Sequence, residues 1–136
     1  MMNTTVKDVT FIDIPKIKDP RGNLAVIEQE TLPFSHKRVY YLFDVPSEAK
    51  RGGHSHIEQH EVLIALSGSF TVVVDDGETK QKIVMNKPTK GLHIPNGIWR
   101  ELEDFSAGSV CLVLASDIFT EADYIREHKD FKLSKS

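Results

Sequence analysis

The chain has 136 residues, of which 40% are hydrophobic and 27% charged, so it reads as one ordinary globular domain spanning residues 1–136. With 17 Lys+Arg against 20 Asp+Glu the formal net charge is −3, which offers no general attraction to nucleic acid or to anionic lipid. One cysteine excludes an internal disulfide. No apolar stretch approaches a membrane span and the polar opening Met1-Met2-Asn3-Thr4-Thr5 lacks a signal's apolar stretch, so the expected home is the reducing cytoplasm.

In chain order, the β-rich runs are Arg38 to Phe43, Glu61 to Leu66, Phe70 to Val74, Gln81 to Met85 and Val110 to Leu114. Turn signals separate them. Ser67-Gly68-Ser69 lies between the second and third runs, Asp75-Asp76-Gly77 between the third and fourth, and Pro95-Asn96-Gly97 precedes Trp99. Cys111 falls inside the last run and reads as a small buried hydrophobe. Within the first run, Arg38 and Tyr40 share one face and Val39 and Tyr41 the other; the first pair is expected to face a pocket and Tyr41 the core.

One helix is expected near the end, with Thr120 as its cap, Asp123 three positions on, and Ala122, Ile125 and Arg126 at helical spacing. The segment from Lys129 to Ser136 then reads as a solvated tail, apart from Phe131. Many short strands followed by one short C-terminal helix imply an all-β jelly-roll barrel or sandwich, because closure is how such a strand set manages its edges.

The stretch Arg51-Gly52-Gly53-His54-Ser55-His56-Ile57-Glu58-Gln59-His60-Glu61 holds three of the six histidines. On a strand, residues two apart point to the same side, so His54 and His56 present two imidazoles together. Imidazole accepts and donates protons near neutral pH, and it also binds metals. His-x-His, four residues, Glu61, six residues and Gly68 reproduce the spacing of the first cupin motif, although that motif's leading glycine is displaced. A partial second motif runs from Gly91 through Pro95-Asn96-Gly97 to Arg100, where metal-binding cupins place a histidine. A permanent cation there opposes a divalent metal and suits an anion, so no metal or other cofactor is expected.

Five further segments, Asp19-Pro20-Arg21-Gly22-Asn23-Leu24, Lys37 to Phe43, Arg51 to His56, Trp99-Arg100-Glu101-Leu102, and Leu114 to Asp117 with Asp123 to Arg126, make nearly the whole chain similar to the sugar-nucleotide 3,4-ketoisomerases, the WxcM-like cupins. That resemblance implies an isomerase that moves the ketone of dTDP-4-keto-6-deoxyglucose from C4 to C3 through an enediol or enediolate, for deoxyamino-sugar synthesis in surface-sugar (lipopolysaccharide, O-antigen) pathways. It implies His54 and His56 as the catalytic pair, one the carbon base and the other moving protons between oxygens, with their division of labour open. It also implies a homodimer that exchanges its N-terminal strand. Arg21, Arg38, Arg51 and Arg100 are the candidates for binding the diphosphate, since guanidinium groups engage phosphate oxygens in pairs. Tyr40 is expected to bind a phosphate or sugar oxygen, Glu61 either to orient an imidazole or to bind a sugar hydroxyl, and Trp99 either to pack on thymine or to fill the core. The competing readings are a metal-dependent cupin enzyme built on His54, His56 and Glu61, and a non-catalytic module that binds the same sugar nucleotide.

Overall fold

A computed structural model describes residues 2–136. Among the described residues, twelve strands are arranged in two five-stranded antiparallel sheets and one small ribbon. The first sheet has the order β1 (Thr10–Asp13), β9 (Lys90–Ile94), β6 (Glu61–Ser67), β11 (Val110–Ala115) and β4 (Arg38–Phe43). In the second, β12 (Tyr124–Ile125) lies beside β5 (Arg51–His56), followed by β10 (Trp99–Glu103), β7 (Phe70–Asp75) and β8 (Lys80–Met85). The ribbon pairs β2 (Lys16–Ile17) with β3 (Leu24–Ala25).

The expected strand runs all form, and their alternation explains the layering. Leu63 and Ala65 of β6, Phe70, Val72 and Val74 of β7, Leu92 and Ile94 of β9, and Cys111 and Val113 of β11 meet between the two sheets as one buried core. The opposite faces of β6 and β11 are also covered. Val62, Ile64 and Leu114 pack under Ile14, Leu32 and Phe34 of the N-terminal segment, so these central strands are apolar on both sides. Turn chemistry works as the sequence implies: Asp75 accepts from the Gly77 amide, and Asp76 from those of Glu78 and Thr79.

The helix is not where the sequence places it. Thr120 makes no side-chain cap bond; Glu121–Asp123 forms a single 3-10 turn, and Tyr124 and Ile125 pair with His56 and Ser55 as β12. The α-helix, α1, covers His128–Lys135, in the segment read as a tail. Phe131 explains the difference, because its fully buried ring packs on Trp99 and anchors the turn to the sheet. His128 bonds Asp75 at 2.9 Å, and Lys135 donates to the carbonyls of Thr4 and Gly97. Tyr41 is likewise corrected: it is 60% exposed on the outer face of β4 with Val39 and Phe43, while Arg38 and Tyr40 take the inner face.

Candidate active site

A cleft of about 460 Å³ opens between β4, at the edge of the first sheet, and β5 and β12 of the second; it is lined by Arg38, Tyr40, Lys50, Arg51, Gly52, His54, Tyr124 and Arg126. Strand β5 delivers His54 after a bulge at which the pairing with β10 shifts between Arg100 and Glu101. Gly52 makes that bulge possible. Its φ is +88°, and a Cβ there would lie 3.0 Å from the Arg100 carbonyl oxygen.

His54 and His56 are neighbours, as their spacing implies, with ring centroids 4.8 Å apart and planes nearly perpendicular. The Tyr124 ring lies against both, 4.9 Å from His54 and 4.4 Å from His56. Their environments differ. His54 lines the cleft, and its Nε2 is buried without a partner. Burial first, and then the Arg100 guanidinium, push the His54 pKa down to about 3, so the ring is neutral at ordinary pH. His56 is wholly buried behind it, and burial followed by Arg100 also lowers its pKa. Its Nδ1 lies 3.0 Å from the Asp123 carboxylate, and its Nε2 lies 3.5 Å from the Gln59 amide.

Glu61 is nearly buried and fully engaged. Arg100 donates to its Oε1, while Tyr40 and Gln59 each donate to Oε2 at 2.8 Å. Burial, and then Glu61, raise the Tyr40 pKa, so its hydroxyl keeps its proton and remains a donor. Ligand atoms of His54, His56 and Glu61 come within 4.8 Å of one another, the arrangement a metal-binding cupin would use. These residues nevertheless do not fit a divalent metal, because both Glu61 oxygens are taken and the fourth corner holds a guanidinium.

The remaining candidates separate. Arg51 and Arg38 line the cleft; Arg38 donates to Gln59 at 3.2 Å, lies over Tyr40, and keeps a buried Nε without a partner. Arg100 is buried on Glu61 and does not line the cleft. Arg21 is also absent from it, with its side chain 90% exposed and paired to Asp19. Trp99 packs on His128 and Phe131 and donates to Glu101, so of its two expected roles it fills the core. His60 and His93 pair with each other at 3.0 Å, and neither lines the cleft.

Sequence reading missed Lys50, Gln59, Asp123, Tyr124 and Arg126. Tyr124 and Arg126 stood among the segments of family resemblance without a role, and Asp123 was absorbed into the expected helix cap. A helix over Thr120–Arg126 would have left Tyr124 and Ile125 unable to pair with β5. Extended pairing with β5 instead sets Asp123 and Tyr124 on His56.

Two antiparallel sheets closed around one core, with a histidine pair on an inner strand beside the Glu61 carboxylate, define a cupin whose metal corner is filled by an ion pair. The family model described as "FdtA: WxcM-like, C-terminal" matches residues 7–136, and the chain belongs to that family. It is 46% identical over 122 residues to the TDP-4-oxo-6-deoxy-alpha-D-glucose-3,4-oxoisomerase of Aneurinibacillus thermoaerophilus, covering 89% of this chain and 88% of that one. Among solved structures it is similar to a mutant of the 3,4-ketoisomerase QdtA from Thermoanaerobacterium thermosaccharolyticum in complex with TDP-4-keto-6-deoxyglucose, with a TM-score of 0.92, 39% identity and 93% of each chain covered. It also resembles the WlaRB TDP-quinovose 3,4-ketoisomerase from Campylobacter jejuni, with a TM-score of 0.88, 41% identity, and 93% of this chain and 98% of that one covered.

Proposed function

We propose that this chain is a TDP-sugar 3,4-ketoisomerase that converts TDP-4-keto-6-deoxyglucose into its 3-keto isomer. The family and the similarity to enzymes of that activity support the reaction class. The observation that carries the site assignment is the unpartnered, buried Nε2 of a neutral His54 in the cleft. As the carbon base, His54 takes the C3 proton, and the electron pair moves into a C3–C4 double bond while the C4 carbonyl becomes an enediolate oxygen. The C3 hydroxyl proton leaves as the C3 carbonyl forms, C4 receives a proton on carbon, and the former carbonyl oxygen at C4 takes up the second proton to become the C4 hydroxyl. The substrate and product have the same composition, so no net oxidant or reductant enters.

Arg38, with its unpartnered Nε, is positioned to donate to an oxygen that gains charge on this path. Arg51 and Lys50 give the mouth of the cleft positive charge that suits a diphosphate, while Arg126 beside them is held by Glu121. Tyr40, which lines the cleft, donates to Glu61 and so fixes the wall behind the sugar.

The working unit in this reading is one cupin domain over residues 1–136, paired as a homodimer that exchanges the N-terminal strand. The apolar row Val39, Tyr41 and Phe43 on the outer face of edge strand β4, and the edge position of β1, support pairing. No helix among the described residues is long and apolar enough to cross a membrane, and we assign the chain to the cytoplasm.

The decisive experiment is a proton NMR time course with TDP-4-keto-6-deoxyglucose in deuterated buffer containing a chelator. A 3-keto product carrying deuterium at C4 is expected, and His54→Asn should abolish its formation. Saturable binding without product would overturn the isomerase reading in favour of a binding module. Light scattering on the purified chain gives the mass of the assembly, and a monomer overturns the dimer.

A further inference from the structure

A carboxylate outside the cleft bonds the imidazole that stands beside the proposed base. Asp123, in the turn before β12, accepts from the Glu58 amide at 2.7 Å through Oδ1, and from the Gln59 amide at 3.2 Å through Oδ2. Its own carbonyl accepts from the Ile57 amide at 2.9 Å. The turn that follows β5 is thereby clamped to the residue that precedes β12. The same Oδ2 lies 3.0 Å from His56 Nδ1.

An ionised carboxylate only accepts hydrogen bonds, so His56 must carry its proton on Nδ1, and Nε2 keeps the lone pair. The other side of the ring agrees with this tautomer. Nε2 faces the Gln59 side-chain amide at 3.5 Å, a group that can donate, and that amide is held by a 2.8 Å bond to Glu61. His56 is wholly buried, so no water chooses its tautomer or its ring angle. Its ring stands edge-on to His54, the group that meets the substrate.

We propose that Asp123 is a positioning residue for the isomerisation, holding His56 as the Nδ1–H tautomer at one fixed ring angle and, through that ring, holding His54 in its reactive orientation. This assignment rests on the ketoisomerase reading given above. Asp123 does not line the cleft, and in this assignment it acts through His56. Its contribution is preorganisation: a base displaced from its productive geometry loses rate while the cationic mouth continues to bind the diphosphate.

The test uses the full chain labelled with ¹⁵N-histidine, and long-range proton–nitrogen correlation reads the tautomer of His56 without substrate. The wild type should show Nδ1–H. Asp123→Asn keeps the shape and one acceptor for the backbone amides, but it offers an N–H to His56 and should invert the ring to Nε2–H. With that inversion kcat should fall about 10–100-fold, with KM within about twofold of wild type. Asp123→Glu, which returns a carboxylate, should restore Nδ1–H and recover part of kcat even if the asparagine variant folds poorly. A wild-type His56 in the Nε2–H form overturns the proposal, as does an inverted tautomer with unchanged kcat, or a glutamate variant that regains Nδ1–H without regaining rate. Failure of the wild type to isomerise would overturn the assigned activity while leaving the tautomer measurement readable.

Discussion

Arg100 donates to Glu61 in the interior, with side-chain exposures of 2% and 3%, and this ion pair closes the corner where metal-binding cupins carry a histidine. Taking two charges out of water is costly, and here the cost is offset by their mutual attraction and by the Tyr40 and Gln59 bonds to the same carboxylate. The pair also fixes the electrostatics of the site. The guanidinium lies near enough to lower the proton affinity of both catalytic-motif histidines.

Removing one member of that pair should therefore be far worse than replacing both. Arg100→Met is expected to destabilise the fold by about 3–5 kcal/mol, because it strands a buried carboxylate. The double variant Arg100→Met with Glu61→Gln should recover much of that loss. Urea denaturation measures both, and a single variant as stable as the wild type would show that the pair contributes nothing.

The histidines also set the pH dependence of stability. The folded-state pKa is pushed down to about 3 for His54 and about 4 for His93, and lowered for His56, all below the value near 6.5 of an unfolded chain. Between those values the unfolded chain binds more protons, so stability should be level above about pH 6.5 and decline as the pH falls below it. The interval from pH 6.5 to 5 is the diagnostic one, since most carboxylates titrate lower. Denaturation midpoints across it should fall for the wild type and fall less for His54→Asn. The acid limb of kcat should likewise lie below pH 6.

Two arginines that look alike in the sequence should differ in binding. Arg51 lines the cleft, whereas Arg21 is exposed and bonded to Asp19. Arg51→Ala should weaken TDP binding about 10-fold, the loss of roughly one charge-assisted hydrogen bond, with a reduced salt dependence. Arg21→Ala should leave the affinity unchanged. Titration calorimetry checks both, and a reversed order would move the diphosphate out of this cleft.

The C-terminal helix should be structural rather than dispensable. Phe131 is wholly buried against Trp99 and His128, so Phe131→Ala is expected to cost about 3–5 kcal/mol. Thermal unfolding tests this directly. A loss below about 1 kcal/mol would return the segment to the status of a solvated tail.

By itself the sequence determined five of the strands and the histidine pair, because those depend on short-range physics. Alternation of apolar residues and glycine- or aspartate-bearing turns delimits β4, β6, β7, β8 and β11 within a few residues, and the period of two sets His54 beside His56 whatever lies around them. The sequence also placed Arg100 where a metal ligand would stand. Only the tertiary structure decided which charges and rings face one another. Local capping signals at Thr120 and Asp123 are worth about 1 kcal/mol, and they yield to pairing with β5, to three hydrogen bonds on the Asp123 carboxylate and to the packing of Tyr124. The helix forms instead where Phe131 finds a buried socket, an advantage that no local pattern records. In the same way Arg51 meets the cleft and Arg21 meets solvent, since the approach of segments distant in sequence, and not residue type, sets where a charge ends up.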